Sequence, residues 1–137
     1  MNTFNLKIIA CDRVFYEGEA TILVFPAEDG EVAIMAHHER MTTTVEIGEI
    51  RFKTPDGEQH IVIVSDGMLS VKENRVVLLV YSAESPEEID EFRAEAAAER
   101  ARERLSHKQS MVEYQLSVTA LARAMARIAG KDKYGTR

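Results

Sequence analysis

The chain changes character once, and that break limits what it can fold into. Up to Glu84, short alternating apolar and polar runs are punctuated by glycine; from Ser85-Pro86-Glu87-Glu88-Ile89-Asp90 onward the chain is rich in Ala, Glu and Arg. Five of the seven glycines precede this point, and residues 87–129 contain neither Gly nor Pro. Nothing in that stretch forces a backbone break. The expected organisation is therefore a strand-built module over residues 1–84 followed by a helix-only module over residues 85–137. In a chain of 137 residues the second element, about 50 residues long, is too small to hold itself together strongly.

In the front part, Phe4-Asn5-Leu6-Lys7-Ile8-Ile9 and Ala20-Thr21-Ile22-Leu23-Val24-Phe25 read as strands, the second apolar enough to be buried on both faces. Further strands are expected over residues 32–35, 41–47, 49–54, 59–64, 68–71 and 75–81. Pro26, Asp29-Gly30, Gly48, Pro55-Asp56-Gly57, Asp66-Gly67 and Glu73-Asn74 supply the breaks, the Asp-Gly pairs accepting the positive φ of tight hairpins. Short strands with a turn every eight to twelve residues predict an all-β antiparallel sandwich or flattened barrel.

Ser85 suits a helix cap, with Pro86 at the first helical position and Glu88 reaching back to it. Ala94, Ala98, Ala101 and Leu105 then recur at helical spacing as a narrow seam of small side chains. A second capping box at Ser110 and Glu113 introduces Tyr114, Val118, Leu121, Met125 and Ile128 as an apolar stripe. With a turn over residues 105–109 this predicts an antiparallel α-helical hairpin with arms about 30 Å long. An alanine seam buries little area per residue, so the hairpin is expected to be conditionally stable, open to bias by a ligand or partner.

Charge is segregated. Residues 1–84 carry 7 basic and 14 acidic side chains, and residues 85–137 carry 10 and 9. Within the tail, acids gather where the first helix begins and bases where the second ends, which suits both helix dipoles. The acidic front disfavours nucleic acid as a partner. No apolar run approaches the roughly 20 residues of a membrane span, and the polar start Met1-Asn2-Thr3 lacks a leader pattern, so membrane contact is expected only through a complex. The single cysteine, Cys11, permits no internal disulfide; it is expected to be a half-buried strand residue in a chain of the reduced cytosol.

Catalytic chemistry finds little support. Glu31, His37, His38 and Glu39 resemble a ligand cluster, but adjacent residues of a strand point to opposite faces, so His37 and His38 do not aim at one ion; no metal site is expected. No Gly-rich loop ends in Gly-Lys-Ser or Gly-Lys-Thr. No serine or cysteine has an evident base. No catalytic residue or catalytic cofactor is therefore expected. Arg123 and Arg127 stand one helical turn apart and can grip phosphate oxygens together, with Arg100 on the facing helix completing the cluster. Ala94 leaves room for a base ring, and Glu84 and Asp90 are acceptors suited to ribose hydroxyls or an amino group. Alternatively, these arginines form a solvated face or pair with Glu99 and Glu103.

The order Phe4-Asn5-Leu6-Lys7-Ile8-Ile9, Val14-Phe15-Tyr16-Glu17-Gly18-Glu19, Asp29-Gly30-Glu31, Ser65-Asp66-Gly67, Ala83-Glu84 and Ile89-Asp90-Glu91-Phe92-Arg93-Ala94, followed by Arg100 and Arg123-Ala124-Met125-Ala126-Arg127, resembles the epsilon subunit of the bacterial rotary ATP synthase over nearly the whole chain. The resemblance implies a non-catalytic central-stalk subunit, peripheral on the cytoplasmic side of the cell membrane. Its sandwich would bind the gamma subunit and sit on the rotor ring of c subunits, driven by protons or sodium ions. Its tail would extend toward the alpha and beta catalytic subunits and inhibit ATP hydrolysis. It further implies ATP as a regulatory ligand at Glu84, Ile89, Asp90, Ala94, Arg100, Arg123 and Arg127, and rotor-ring contact at Glu31 and His38. The chain departs from the family at Ala36-His37-His38-Glu39-Arg40-Met41, where a Pro-Gly-His-x-Pro-Leu turn is usual, and at Ser65-Asp66-Gly67-Met68 in place of Ser-Gly-Gly-Phe. The alternative from another class is a free-standing cytosolic interaction module.

Overall fold

A computed structural model describes residues 2–107 and 110–134. The chain divides into two compact units, Met1–Ser85 and Pro86–Arg137. The first is a sandwich of two five-stranded sheets. Its strands are β1 (Phe4–Ile9), β2 (Val14–Ala20), β3 (Ile22–Ala27), β4 (Gly30–Met35), β5 (Met41–Val45), β6 (Gly48–Lys53), β7 (Gln59–Val64), β8 (Gly67–Lys72), β9 (Arg75–Val80) and the short β10 (Ala83–Glu84). One sheet runs β2-β1-β9-β8-β5 and the other β10-β7-β6-β3-β4.

The period-two alternation does its work at the interface between the sheets. Phe4, Leu6, Ile8, Leu69, Val71, Val76 and Leu78 of the first sheet meet Leu23, Phe25, Ile34, Ile50, Phe52, Val62 and Val64 of the second, all nearly inaccessible. Burying each such side chain contributes ~1.5–3 kcal/mol, which makes this layer the main source of stability of the unit.

Several expectations are corrected. The sandwich is not wholly antiparallel, because β1 pairs parallel to β9 from Asn5↔Arg75 to Ile9↔Leu79. Residues 14–20, not among the expected strands, form the edge strand β2: Val14, Phe15 and Tyr16 are strand formers, and pairing with β1 carries the strand on through Glu17, Gly18 and Glu19. The second expected strand is buried on one face only: Leu23 and Phe25 are fully enclosed while Ile22 and Val24 are half-buried outside. Cys11 is exposed and lies past the end of β1, where its amide donates to Tyr81 O at 3.4 Å. Gly67 does not have a positive φ. It is needed for close approach, since a Cβ there would stand 1.9 Å from Leu79 O and 2.7 Å from Val80 Cα.

The β8–β9 turn uses no glycine. Glu73 and Asn74, with φ of 51° and 62°, form the two-residue loop closing β8 onto β9 at Lys72↔Arg75. Asn74 earns its strained backbone through its side chain: its Oδ1 accepts from the amide of His37 at 2.8 Å, itself at φ 64°, and its Nδ2 donates to Thr3 O at 2.9 Å. One residue thus ties the start of β1, the loop over residues 36–40 and the β8–β9 turn together.

The second unit opens with a 3₁₀ turn, Pro86–Glu88, followed by α1 (Glu91–Leu105) and α2 (Met111–Tyr134). The cap is Asp90, not Ser85: its Oδ1 accepts from Arg93 N at 3.1 Å, and the regular helix starts five residues later than the Ser85-Pro86 pattern suggests. At Ser110 the expectation holds, its Oγ accepting from Glu113 N at 3.2 Å. The expected turn begins at Ser106, which caps α1; Lys108 and Gln109 lie outside the described residues.

Helix α1 buries Ala94, Ala98 and Ala101, as its spacing predicts. For α2 the face is corrected. Ser117, Ala124 and Gly130 are buried, whereas Tyr114, Val118 and Met125 are exposed and Leu121 and Ile128 half-buried. An alanine-lined helix accepts a partner closely only through small residues, so the large side chains flank the seam instead of filling it.

Candidate functional site

Within the hairpin, one contact fixes which residues share a side. Arg102 Nη2 lies 3.2 Å from Met125 Sδ across the two helices. Arg100 precedes Arg102 by two residues, about 200° around α1, and so falls on the other side of the alanine seam. Arg123 stands in the same relation to Met125 on α2, and Arg127 follows it by one turn. Antiparallel packing therefore places Arg100, Arg123 and Arg127 along one side of the hairpin, with Arg102 and Met125 along the other. Arg100 is exposed, while Arg123 and Arg127 are half-buried. The three guanidinium groups thus share one side of the hairpin, and guanidinium is the side-chain chemistry that pairs with phosphate oxygens.

The remaining residues of the expected nucleotide site are placed less simply. Ile89 and Ala94 are buried, at 4% and 2% exposure, so a base ring reaches neither unless neighbouring side chains move. Asp90 is exposed but already accepts from Arg93 N as the α1 cap. Glu84 belongs to the first unit, at the end of β10, where it pairs with Ile63 of β7. Glu99 pairs with Arg102, one turn away on the same helix, at 3.5 Å.

In the sandwich, the structure separates Glu31 from His38. Glu31 is the second residue of β4, opposite Pro26, at the end of the sandwich where the amide of Glu46 donates to Pro26 O and where Gly48↔Val64 brings the Ser65-Asp66 turn. His38 follows the opposite end of β4, in the loop whose His37 amide is held by Asn74. Residues 31 and 35 of one strand are already about 13 Å apart. Glu31 and His38, both implied as rotor-ring contacts, therefore lie at opposite ends of the sandwich.

Arg51, which sequence reasoning missed, is Glu31's partner. Its Nη2 lies 3.0 Å from Glu31 Oε2 and its Nη1 3.0 Å from Glu49 Oε1. The hydrogen bond that Arg51 donates to Glu49, together with the charge of Glu31, raises the guanidinium pKa above its ordinary value. Glu49 is two residues from Arg51 on one face of β6, but only the pairings β3–β4 and β3–β6 bring Glu31 to Arg51, so no local signal marks that ion pair. His38 Nδ1 lies 2.8 Å from the neighbouring Glu39 O. Among the described residues, no group of three or more His, Cys, Asp or Glu side chains is gathered to hold a metal ion. No described helix is long and apolar enough to cross a membrane.

A sandwich of this kind followed by a helical hairpin defines a class found in rotary ATP synthases. The chain matches the family described as ATP synthase, Delta/Epsilon chain, beta-sandwich domain, over residues 3–86, and the corresponding long alpha-helix domain over residues 87–129. The chain belongs to the ATP synthase epsilon-chain family. The ATP synthase epsilon chain of Ruminiclostridium cellulolyticum is 41% identical over 133 residues, covering 97% of this chain and 98% of that one. That of Caldicellulosiruptor saccharolyticus is 38% identical over 128 residues, 93% of each. A chain of the Euglena gracilis mitochondrial ATP synthase, in an OSCP/F1/c-ring structure, shares the fold with a TM-score of 0.79 at 20% identity, covering 94% of this chain and 81% of that one.

Proposed function

We propose that this chain is a non-catalytic subunit of the central stalk of a bacterial ATP synthase, peripheral on the cytoplasmic side of the membrane. In this reading its sandwich joins the gamma subunit to the rotor ring of c subunits. Its hairpin either folds closed or extends toward the alpha and beta subunits and restrains ATP hydrolysis. The observation that carries the stalk role is the 41% identity to an ATP synthase epsilon chain along 97% of this sequence. For ring contact, the end of the sandwich bearing Glu31 is preferred over the end bearing His38, because the Ser65-Asp66 turn shares it.

The regulatory part rests on the hairpin. Its seam is built from Ala94, Ala98, Ala101, Ser117 and Ala124, so it closes with only a few kcal/mol of apolar burial. A ligand bound by the closed form alone adds about 2.7 kcal/mol at a hundred times its Kd, enough to decide the equilibrium. ATP is the proposed ligand, its phosphates held by Arg100, Arg123 and Arg127, with Asp90 as an acceptor and Ile89 and Ala94 beside the base after local rearrangement. In the extended form the same arginines face acidic surfaces of the catalytic subunits, so the two uses compete.

Calorimetric titration with ATP of the wild type and of Arg123→Ala tests the nucleotide part. Saturable heat that the substitution abolishes supports it, and identical weak heats for both proteins remove it. Co-purification with gamma and c subunits tests the stalk part separately.

A further inference from the structure

The alanine seam is not the whole of what joins the two helices. Arg102, in the last turn of α1, places Nη2 3.2 Å from Met125 Sδ on α2. The same guanidinium has Nη1 3.5 Å from Glu99 Oε2, one turn back on its own helix, which keeps the side chain on this flank. A thioether is a weak acceptor, so the contact adds little as it stands. Its character changes when the sulfur gains an oxygen, because oxidation turns an apolar side chain into a polar one whose oxygen accepts strongly.

Met125 is placed to react without damage to the packing. It is 42% exposed, so an oxidant reaches the sulfur and the added oxygen enters no core. Met35, Met68 and Met111 are more open, at 61%, 51% and 74%, and react as well, but the first two lie on the sandwich and Met111 opens α2. Met125 has a cation from the opposite helix at its sulfur. The oxidant is a peroxide. The sulfur lone pair attacks one peroxide oxygen, the O–O bond breaks as the S–O bond forms, and the leaving hydroxide takes the proton of the transferred oxygen to become water. Sulfur loses two electrons and the peroxide gains them. Two epimers form. In one of them the oxygen takes the lone pair facing Arg102, whose side chain is half open to solvent and free to draw back and donate to it.

We propose that Met125 is a sulfoxidation site, and that the sulfoxide formed there accepts from Arg102 and clasps α1 to α2. The clasp replaces a contact to a weak acceptor by a charge-assisted hydrogen bond. Both partners are partly exposed, which puts the effect at the low end for a bond to a charged group, about a tenfold drop in the opening equilibrium of the hairpin. The consequence for the motor rests on the regulatory reading above: oxidation favours the closed form, so peroxide and ATP push the hairpin the same way.

The test oxidises the full chain with hydrogen peroxide and then adds a thiol reductant, which reverses a disulfide or sulfenic acid at Cys11 but not a sulfoxide. Tandem mass spectrometry reads the oxygen on each methionine, and hydrogen exchange reads the helices. Met125 should be oxidised in full, more slowly than Met111. Peptides from α1 and α2 should then show two isotopic envelopes, one for each epimer, the slower exchanging about tenfold more slowly than the untreated chain, while β1, β6 and β7 are unchanged. Arg102→Ala and Met125→Leu should each remove the slow envelope, and Met111→Leu should keep it. The proposal is overturned by fully oxidised wild type without a slow envelope, by a slow envelope that survives Met125→Leu, or by a Met125 that carries no oxygen where Met35, Met68 and Met111 all do. ATP hydrolysis by the assembled catalytic sector, reconstituted with chain oxidised beforehand, tests the reading beneath. A slow envelope with unchanged hydrolysis leaves the clasp standing and removes the regulatory reading.

Discussion

Replacing Ala98 by leucine should open the helical hairpin without disturbing the sandwich. Ala98 and Ala101 are fully enclosed, and Ala94 and Ala124 nearly so, at 2% and 1%. These four methyl groups contribute ~0.8 kcal/mol each, ~3 kcal/mol in all. A leucine at position 98 adds three carbons where the helices approach through alanine, and such overpacking costs ~1–3 kcal/mol. A loss of ~2 kcal/mol raises the opening equilibrium constant about 30-fold. Helices of 15 residues are marginal alone, so opening exposes the α1 amides to solvent. Native-state hydrogen exchange followed by mass spectrometry should therefore show protection in α1 and α2 falling by about that factor while β1, β8 and β9 are unchanged. Ala96→Leu, on the exposed side of the same helix, should leave protection alone. Protection in Ala98→Leu within twofold of the wild type would refute the idea that the alanine seam holds the hairpin shut.

Two further outcomes are expected. Gly67→Ala drives a methyl group against the carbonyl of Leu79 and should lower the urea midpoint of the sandwich by the equivalent of ~1–3 kcal/mol; an unchanged midpoint would show that β8 and β9 separate at little cost. The Asp56 carboxyl is held below its ordinary value, first by the hydrogen bond from the Thr54 hydroxyl and then by the amide of Glu58. Its folded value lies below its unfolded one, so its stabilising effect is complete above the unfolded value and drains away as pH falls through the folded one. Thr54→Val should move the carboxyl titration measured by NMR back upward, and a titration that does not move would contradict this cause.

Much of the site lay within reach of local pattern. The spacing of Ala94, Ala98 and Ala101 marks their shared buried face because helical period alone decides it, and Arg123 and Arg127 are neighbours for the same reason. The stripe through Tyr114, Val118 and Met125 misleads, since hydrophobicity predicts burial only when the facing helix leaves room, and an alanine face leaves none. Ser85 fits the cap pattern, yet Asp90 takes the role because the chain first makes a 3₁₀ turn. Glu31 and His38 are close in sequence, but the length of a strand separates them.

Composition and periodicity alone determine that this chain is strands followed by helices, where most strands run, and that three arginines lie on helices able to face one another; these are consequences of residue spacing along one element. Only the tertiary structure decides the parallel pairing of β1 with β9 and the partnership of Arg51 with Glu31. Each of those depends on register between strands distant in sequence, which is set by how two whole sheets bury their inner faces and leaves no mark on the residues it brings together.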